Sequence, residues 1–290
     1  MWPFEKPFGA NLIQDHFSFR HKAYLKLMGY PFIWSRGELV LRHLQPQDGD
    51  HILDIGCGVG LFVSEFAARG AQVTGLDIER QNIAIEVPQN PFVRRRVSFV
   101  CADAVSLPFR DGTFGKITMV ECLEHIKEDG KALSEIRRVL SPKGIVVITV
   151  PTYPGYPPHR VFARVIPLLP QRLLRRAARD SQKRVLTYSE DPDSVVLAKA
   201  DTNEMLKAFG HVRHYTQESL ISLLREHGFN ILHVKQFQKL FESEMIAFNL
   251  GVRGFQRPLL YPFMRAVALL DHCLPRSYPG VELLVVASKT

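Results

Sequence analysis

Residues 51–70 read HILDIGCGVGLFVSEFAARG: a short apolar run, a glycine-rich turn, and an amphipathic segment closed by glycine. The run HILDI predicts a short strand that ends in the glycines. Gly56, Gly58 and Gly60, with Cys57 between, let the backbone turn sharply and approach a ligand closely. The helix predicted from Leu61 aims its free N–H groups at whatever binds there, and Gly70 stops it. In open α/β sheets ligands sit in the crevice at the carboxyl ends of the strands.

Two ligand classes compete for this turn. A dinucleotide site asks for G-x-G-x-x-G, and Leu61 stands where the third glycine belongs. The strand also ends in Asp54, whose charge opposes a pyrophosphate and suits the ammonium of a methionine moiety.

Working outward, strands alternate with helices. Residues 36–45 have helical spacing and stop before the Pro46/Gly49 turn. QVTGLDI, RVSFVCAD, DGTFGKITMVE and IVVITVP predict strands two to five, with a helix over KALSEIRRVL and a turn at SPKG. After Pro151 the alternation breaks. It resumes at TQESLISLLREHG, a helix with Thr216 as N-cap and Gly228 past its end. FNILHVKQF and VELLVVASK supply strands six and seven. The expected fold is therefore α/β: a Rossmann-like, doubly wound seven-stranded sheet, mostly parallel with the last strand antiparallel. Residues 1–35 are expected to cap a domain of residues 36–290, with lid insertions at 151–210 and 240–280.

Acids recur at successive strand ends. Asp77, followed by Ile78, ends the second strand and is suited to accept ribose hydroxyls. Asp103, followed by the small Ala104, ends the third and is suited to an adenine amino group.

The composition fits one soluble globular chain: 290 residues, 46% hydrophobic and 23% charged. Cys57, Cys101, Cys122 and Cys273 are scattered, with no paired spacing, so a reducing compartment is expected. MWPFEKPFGA lacks the basic and apolar regions of a secretory signal, and the expected location is cytoplasmic. The net charge of +8 calls for an anionic partner. Between Arg160 and Arg184 eight basic residues face one acid, Asp180, so the excess is concentrated there.

ILDIGCGVG, GLDI, ADAVSLPF, DGTFGKITMVECLEHI and RRVLSPKGIVVITVP together resemble the class I S-adenosylmethionine-dependent methyltransferases. The resemblance spans roughly residues 36–150 and implies the fold just described. It implies that Gly56 and Gly58 contact the methionine part of S-adenosylmethionine, Asp77 the ribose and Asp103 the adenine. Asp54, Cys57, Gly60, Ile78, Ala104, Val120 and Glu121 complete the expected cofactor lining. MVECLEHI is most similar to the matching stretch of the ubiquinone-biosynthesis O-methyltransferases. That subfamily implies an arginine on the cofactor, for which Arg36 is best placed. It also implies a divalent cation held by Glu121, Glu124 and His125. If helical, their spacing puts all three on one face, where magnesium or zinc would fit. Many metal-free members share LEH, and His125 serves equally as a general base or a brace of the loop.

The acceptor is written in the cover of the site. Residues 161–184 join aliphatics to arginines, and residues 259–274 form an apolar stretch interrupted by Arg265 and Asp271. Both suit peripheral contact with an anionic membrane and entry of a greasy acceptor, or else core packing with solvated arginines. Nucleic acid is not expected, because the arginines lack interleaved aromatics. Tyr153 and His159, with His125, are candidate catalytic groups. His211, Arg213, His214 and Tyr215 are candidate substrate contacts. The function expected is O-methylation of a small hydrophobic, lipid-like or quinone-like acceptor. The competing expectations are a methyltransferase acting on a polar metabolite, sugar or natural product, and a cofactor-binding protein without turnover.

Overall fold

The computed structural model describes residues 31–58, 60–83, 90–152, 211–237 and 282–290, the side chains of 31–35 excepted. The chain divides into two compact units, one of residues 1–151, 215–235 and 283–290, the other of residues 152–214 and 236–282. Residues 1–30 of the proposed cap, most of both insertions, Tyr153, His159 and the basic segments at 160–184 and 259–274 lie outside the described residues.

In the first unit, α1 (Pro31–Leu44) opens with proline, whose fixed φ suits the first turn of a helix. It starts five residues earlier than its apolar spacing predicts. Leu41 and Leu44 are fully buried, and Gln45 at φ 48 ends the helix before Pro46. β1 (His51–Ile55) is buried from Ile52 onward. It is followed by α2 (Leu61–Ala67), β2 (Gln72–Asp77), the one-turn helices α3 (Arg80–Ile83) and α4 (Pro91–Arg94), and β3 (Val97–Cys101). β4 (Phe114–Val120) leads into a 3-10 turn at Leu123–His125, then α5 (Asp129–Val139) and β5 (Leu140–Pro151). α6 (Gln217–Glu226), β6 (Phe229–Phe237) and β7 (Glu282–Lys289) complete the order.

The strands form one seven-stranded sheet in the order β3-β2-β1-β4-β5-β7-β6, mostly parallel with one antiparallel strand, as the alternation predicts. β1 pairs in parallel with both β2 and β4. The chain leaves β1 toward β2 and β3, then returns to β4 on the other side. The carboxyl end of β1 is therefore the switch point, where crossovers diverge and leave a crevice.

SPKG is not the free turn its composition predicts. Phe114 pairs with Leu140 and Lys116 with Ile145, so Ser141–Gly144 is extra chain taken up as a bulge at the start of β5. Gly144 is required there, since a Cβ would lie 2.5 Å from the Leu140 side chain.

The main core joins β1, β4 and β5 to α5, α6 and β7. Leu133, Ile136, Leu220, Leu224, Leu283 and Val285 are all fully buried within it. α6 is capped as predicted: the Thr216 hydroxyl accepts from Ser219 N at 3.1 Å, Ser219 Oγ returns the bond to Thr216 N, and Gly228 at φ 74 follows the last turn.

Candidate functional site

Parallel pairing brings the ends of β3, β2, β1 and β4 side by side, each with an acid at or just beyond it: Asp103, Asp77, Asp54 and Glu121. At β1, Asp54 is 2% exposed. Its Oδ1 accepts from the Thr118 hydroxyl at 2.7 Å, while the buried Oδ2 has no hydrogen-bond partner among the described residues. Burial, with a smaller contribution from nearby Asp77, pushes the Asp54 carboxyl up to about 7 against the bond from Thr118.

The glycine turn is built by its backbone. Gly56 N and Cys57 N both donate to Leu76 O, at 2.8 and 3.0 Å, tying the turn to β2. Gly56 sits at φ 71, and a Cβ there would meet Cys122 Sγ at 2.5 Å, so glycine is obligatory on both counts. Gly58, at φ 52, has open space where a Cβ would project. Burial pushes the thiols of Cys57 and Cys122 far up, which keeps both neutral.

Asp77 clasps this turn. Its Oδ2 accepts from Gly58 N at 2.8 Å; its Oδ1 accepts from Glu79 N at 2.9 Å and Asn82 Nδ2 at 3.3 Å. A carboxylate offers about four acceptor positions, so room for a ligand hydroxyl remains chiefly on Oδ2. Ile78 beyond it is 63% exposed. In the loop after β3, exposed Asp103 accepts from Val105 N at 3.1 Å, and Ala104 is buried.

At β4 the arrangement differs. Glu121 follows Val120 with φ 49, a left-handed backbone that a non-glycine residue adopts only under constraint. Its N–H donates to Thr149 O at 3.0 Å. Its Oε1 accepts from the Thr149 hydroxyl at 2.9 Å, and its Oε2 lies 3.4 Å from the Arg36 guanidinium.

Residues 53–148 match the family described as Methyltransferase domain. Over that stretch the chain is similar to methyltransferases. The resemblance read from the sequence is thereby borne out over this stretch. An O-methyltransferase of Penicillium expansum, cnsE, is 39% identical over 110 residues, 36% of this chain and 39% of that protein. A demethylmenaquinone methyltransferase of Renibacterium salmoninarum is 30% identical over 133 residues, 46% of this chain and 54% of that protein. The chain thus spans between about two fifths and just over half of the length of these two relatives. Among solved structures, the [4+2]-cyclase SpnF superposes with a TM-score of 0.56 at 21% identity, covering 88% of this chain and 82% of that one. That likeness concerns the fold alone.

The residues expected to line a cofactor do gather at the switch point: Asp54, Gly56, Cys57, Gly58, Gly60 and Asp77 on one side, Arg36 and Glu121 on the other. The metal trio does not form. One shared face requires a helix, but Glu121 has a left-handed backbone and the 3-10 turn begins only at Leu123. Both Glu121 oxygens are engaged by Thr149 and Arg36, and Glu124 is wholly buried. The donor set does not fit magnesium or zinc. His125 is 41% exposed at its side chain, with its Nε2 3.7 Å from Glu124 Oε1.

Tyr215 is a correction too. It is 3% exposed in the core and its hydroxyl donates to Asp129 Oδ2 at 2.7 Å, so it anchors α5 rather than presenting itself to an acceptor. In the second unit, the rings of His211 and His214 stand edge to face with centroids 6.1 Å apart, and burial lowers the pKa of His214. Arg213 between them is half-buried.

Sequence reasoning missed Thr118 and Thr149. Both are fully buried hydroxyls in otherwise apolar strands, ITM and ITV, and a buried hydroxyl must find a partner. That mismatch was the available signal.

Proposed function

We propose that this chain is an S-adenosylmethionine-dependent methyltransferase that methylates a hydroxyl of a small hydrophobic acceptor. The observation that carries this is the pair of acids at the glycine turn, Asp54 with an unpartnered buried oxygen and Asp77 beside it. A cation bound above the turn eases ionisation of Asp54, whereas a pyrophosphate opposes it. S-adenosylmethionine brings an ammonium and a sulfonium; a dinucleotide brings two negative charges.

When bound, the cofactor supplies an electrophilic methyl group at the sulfonium. The glycine turn holds the methionine part, Oδ2 of Asp77 takes a ribose hydroxyl, and exposed Ile78 offers an apolar surface to the adenine. Asp103 and Ala104 complete the adenine end. Transfer is an in-line displacement, so the protein's task is to orient the acceptor, exclude water and remove a proton. His125 takes that proton, and Glu124 behind it stabilises the imidazolium. The O-methyltransferase relative supports oxygen as the acceptor atom, and the quinone relative supports an apolar acceptor.

The basic, apolar segments at 160–184 and 259–274 support peripheral docking on an anionic membrane from the cytoplasmic side. Among the described residues no helix is long and apolar enough to cross a membrane. Binding to anionic liposomes that is lost when Arg172, Arg175, Arg176 and Arg179 become Gln supports docking. Absence of binding in the parent ends it.

Calorimetric titration with S-adenosylhomocysteine and, separately, with NADH tests the cofactor. Binding of the first alone is expected, and binding of NADH alone overturns the proposal. Turnover is tested by methyl transfer from labelled S-adenosylmethionine to a panel of phenolic and quinol acceptors. With an accepted substrate, His125→Ala should lower kcat by about 10²–10⁴-fold and leave cofactor affinity unchanged.

A further inference from the structure

At the end of β4, Glu121 shows three features that together require explanation. It holds a left-handed backbone, φ 49, without being glycine. It is fixed to β5 through Thr149 by its own N–H and by Oε1. Its remaining oxygen lies 3.4 Å from Arg36, whose side chain is 11% exposed. A left-handed backbone is costly for an L-residue with a long side chain, and such strain persists where the placement of the side chain is used.

The position of this pair along the sheet says what it is used for. The strand ends run β3, β2, β1, β4, with Asp103, Asp77 and the glycine turn on the first three. A ligand with its adenine at β3 and ribose at β2 brings its amino-acid end past β1 to β4. That end carries a carboxylate, and Arg36 is the guanidinium held there. An arginine has several free torsions, and fixing it before the ligand arrives reduces the entropy lost on binding.

We infer that Glu121 is a positioning residue: braced by Thr149, it holds the Arg36 guanidinium ready for the carboxylate of the cofactor's amino-acid end. This rests on the proposed cofactor reading. The carboxylate of Glu121 touches neither cofactor nor acceptor in this role; it acts through Arg36.

The test compares two probes, S-adenosylhomocysteine and 5′-methylthioadenosine, which shares the nucleoside and thioether but lacks the amino acid. Glu121→Gly removes the carboxylate and relieves the left-handed backbone. It should therefore keep or raise Tm while weakening S-adenosylhomocysteine about tenfold and leaving methylthioadenosine within twofold. Arg36→Met should weaken S-adenosylhomocysteine at least as much, and adding Glu121→Gln to it should cost nothing further. Equal loss of both probes, unchanged or tighter S-adenosylhomocysteine binding, or additive losses in the double variant would each overturn the inference. Failure of the parent protein to bind S-adenosylhomocysteine would instead remove the cofactor reading beneath it. If Glu121→Gly does not fold, Glu121→Gln alone carries the same comparison of probes.

Discussion

The two sides of the glycine turn hold acids in opposite states. On the β1 side, Asp54 is sealed from water, and among the described residues it has one threonine hydroxyl as its partner and no cation beside it. On the β4 side, Glu121 has a threonine hydroxyl and an arginine as well. Strands β1 and β4 are neighbours, and the contrast joins burial to partners: Asp54 is 2% exposed, the Glu121 side chain 24%. A buried carboxylate without a cation is costly and invites one. A carboxylate already paired with arginine invites nothing and serves to place the arginine. The proposed cofactor, cationic along its methionine part and ending in a carboxylate, matches both sides at once.

The largest effect expected is on the link between β2 and the turn. Asp77→Ala removes the acceptor for Gly58 N and Glu79 N as well as the proposed ribose contact. Each bond to a charged acceptor is worth about 1.5–3 kcal/mol. Affinity for S-adenosylhomocysteine should fall by about 100-fold or more, measured calorimetrically. Unchanged affinity would contradict the site itself, not merely the contrast between its sides.

The next effect concerns pH. With its pKa raised to about 7, free Asp54 is largely protonated below that value and ionised above it. A cationic ligand favours the ionised form, so affinity should fall as pH drops through 7, by up to about tenfold per unit, with proton release on binding near neutrality. For the free protein the sign reverses. A carboxyl whose folded pKa is raised favours the folded state below its unfolded pKa, and that contribution is lost as pH rises toward 7. Asp54→Asn should therefore flatten both profiles, weakening binding at pH 8 while making the free protein comparatively more stable there. If the binding profile of the parent is already flat between pH 6 and 8, Asp54 does not read the ligand's charge.

Legibility from the sequence followed the range of the interactions. Strand order, the switch point and the capping of α6 were legible because alternation, glycine spacing and the Thr216/Ser219 pair are local signals. The acids at Asp54, Asp77 and Asp103 were legible because each stands at a strand end or within two residues of one. The state of those acids was not. That Asp54 lacks a cation and Glu121 has one depends on Thr118, Thr149 and Arg36, which lie 64, 28 and 85 residues away and meet only through the sheet. The metal reading failed for the same reason. Spacing at Glu121, Glu124 and His125 implies one face only in a helix, and hydrogen bonds from β5 hold Glu121 out of helical geometry.

The smallest expected effect is the sharpest probe of the contrast, because it changes one hydroxyl on each side. Thr118→Val and Thr149→Val are nearly isosteric; the first strands a buried carboxylate oxygen at a cost of about 1–3 kcal/mol, while the second frees an oxygen of the partly exposed Glu121 that water can reach. Among the described residues the lost bond is the only hydrogen bond to Asp54 and the one contribution holding its pKa down, so the midpoint of pH-dependent binding should move above 7. For Glu121 the arginine remains, so the midpoint should stay where it is and S-adenosylhomocysteine affinity should drop two- to threefold as Arg36 loosens. A shift of equal size in both variants would mean that the midpoint reports general damage to the sheet. A shift in Thr118→Val alone would assign the titration to Asp54 and leave Glu121 as the fixed side of the pair.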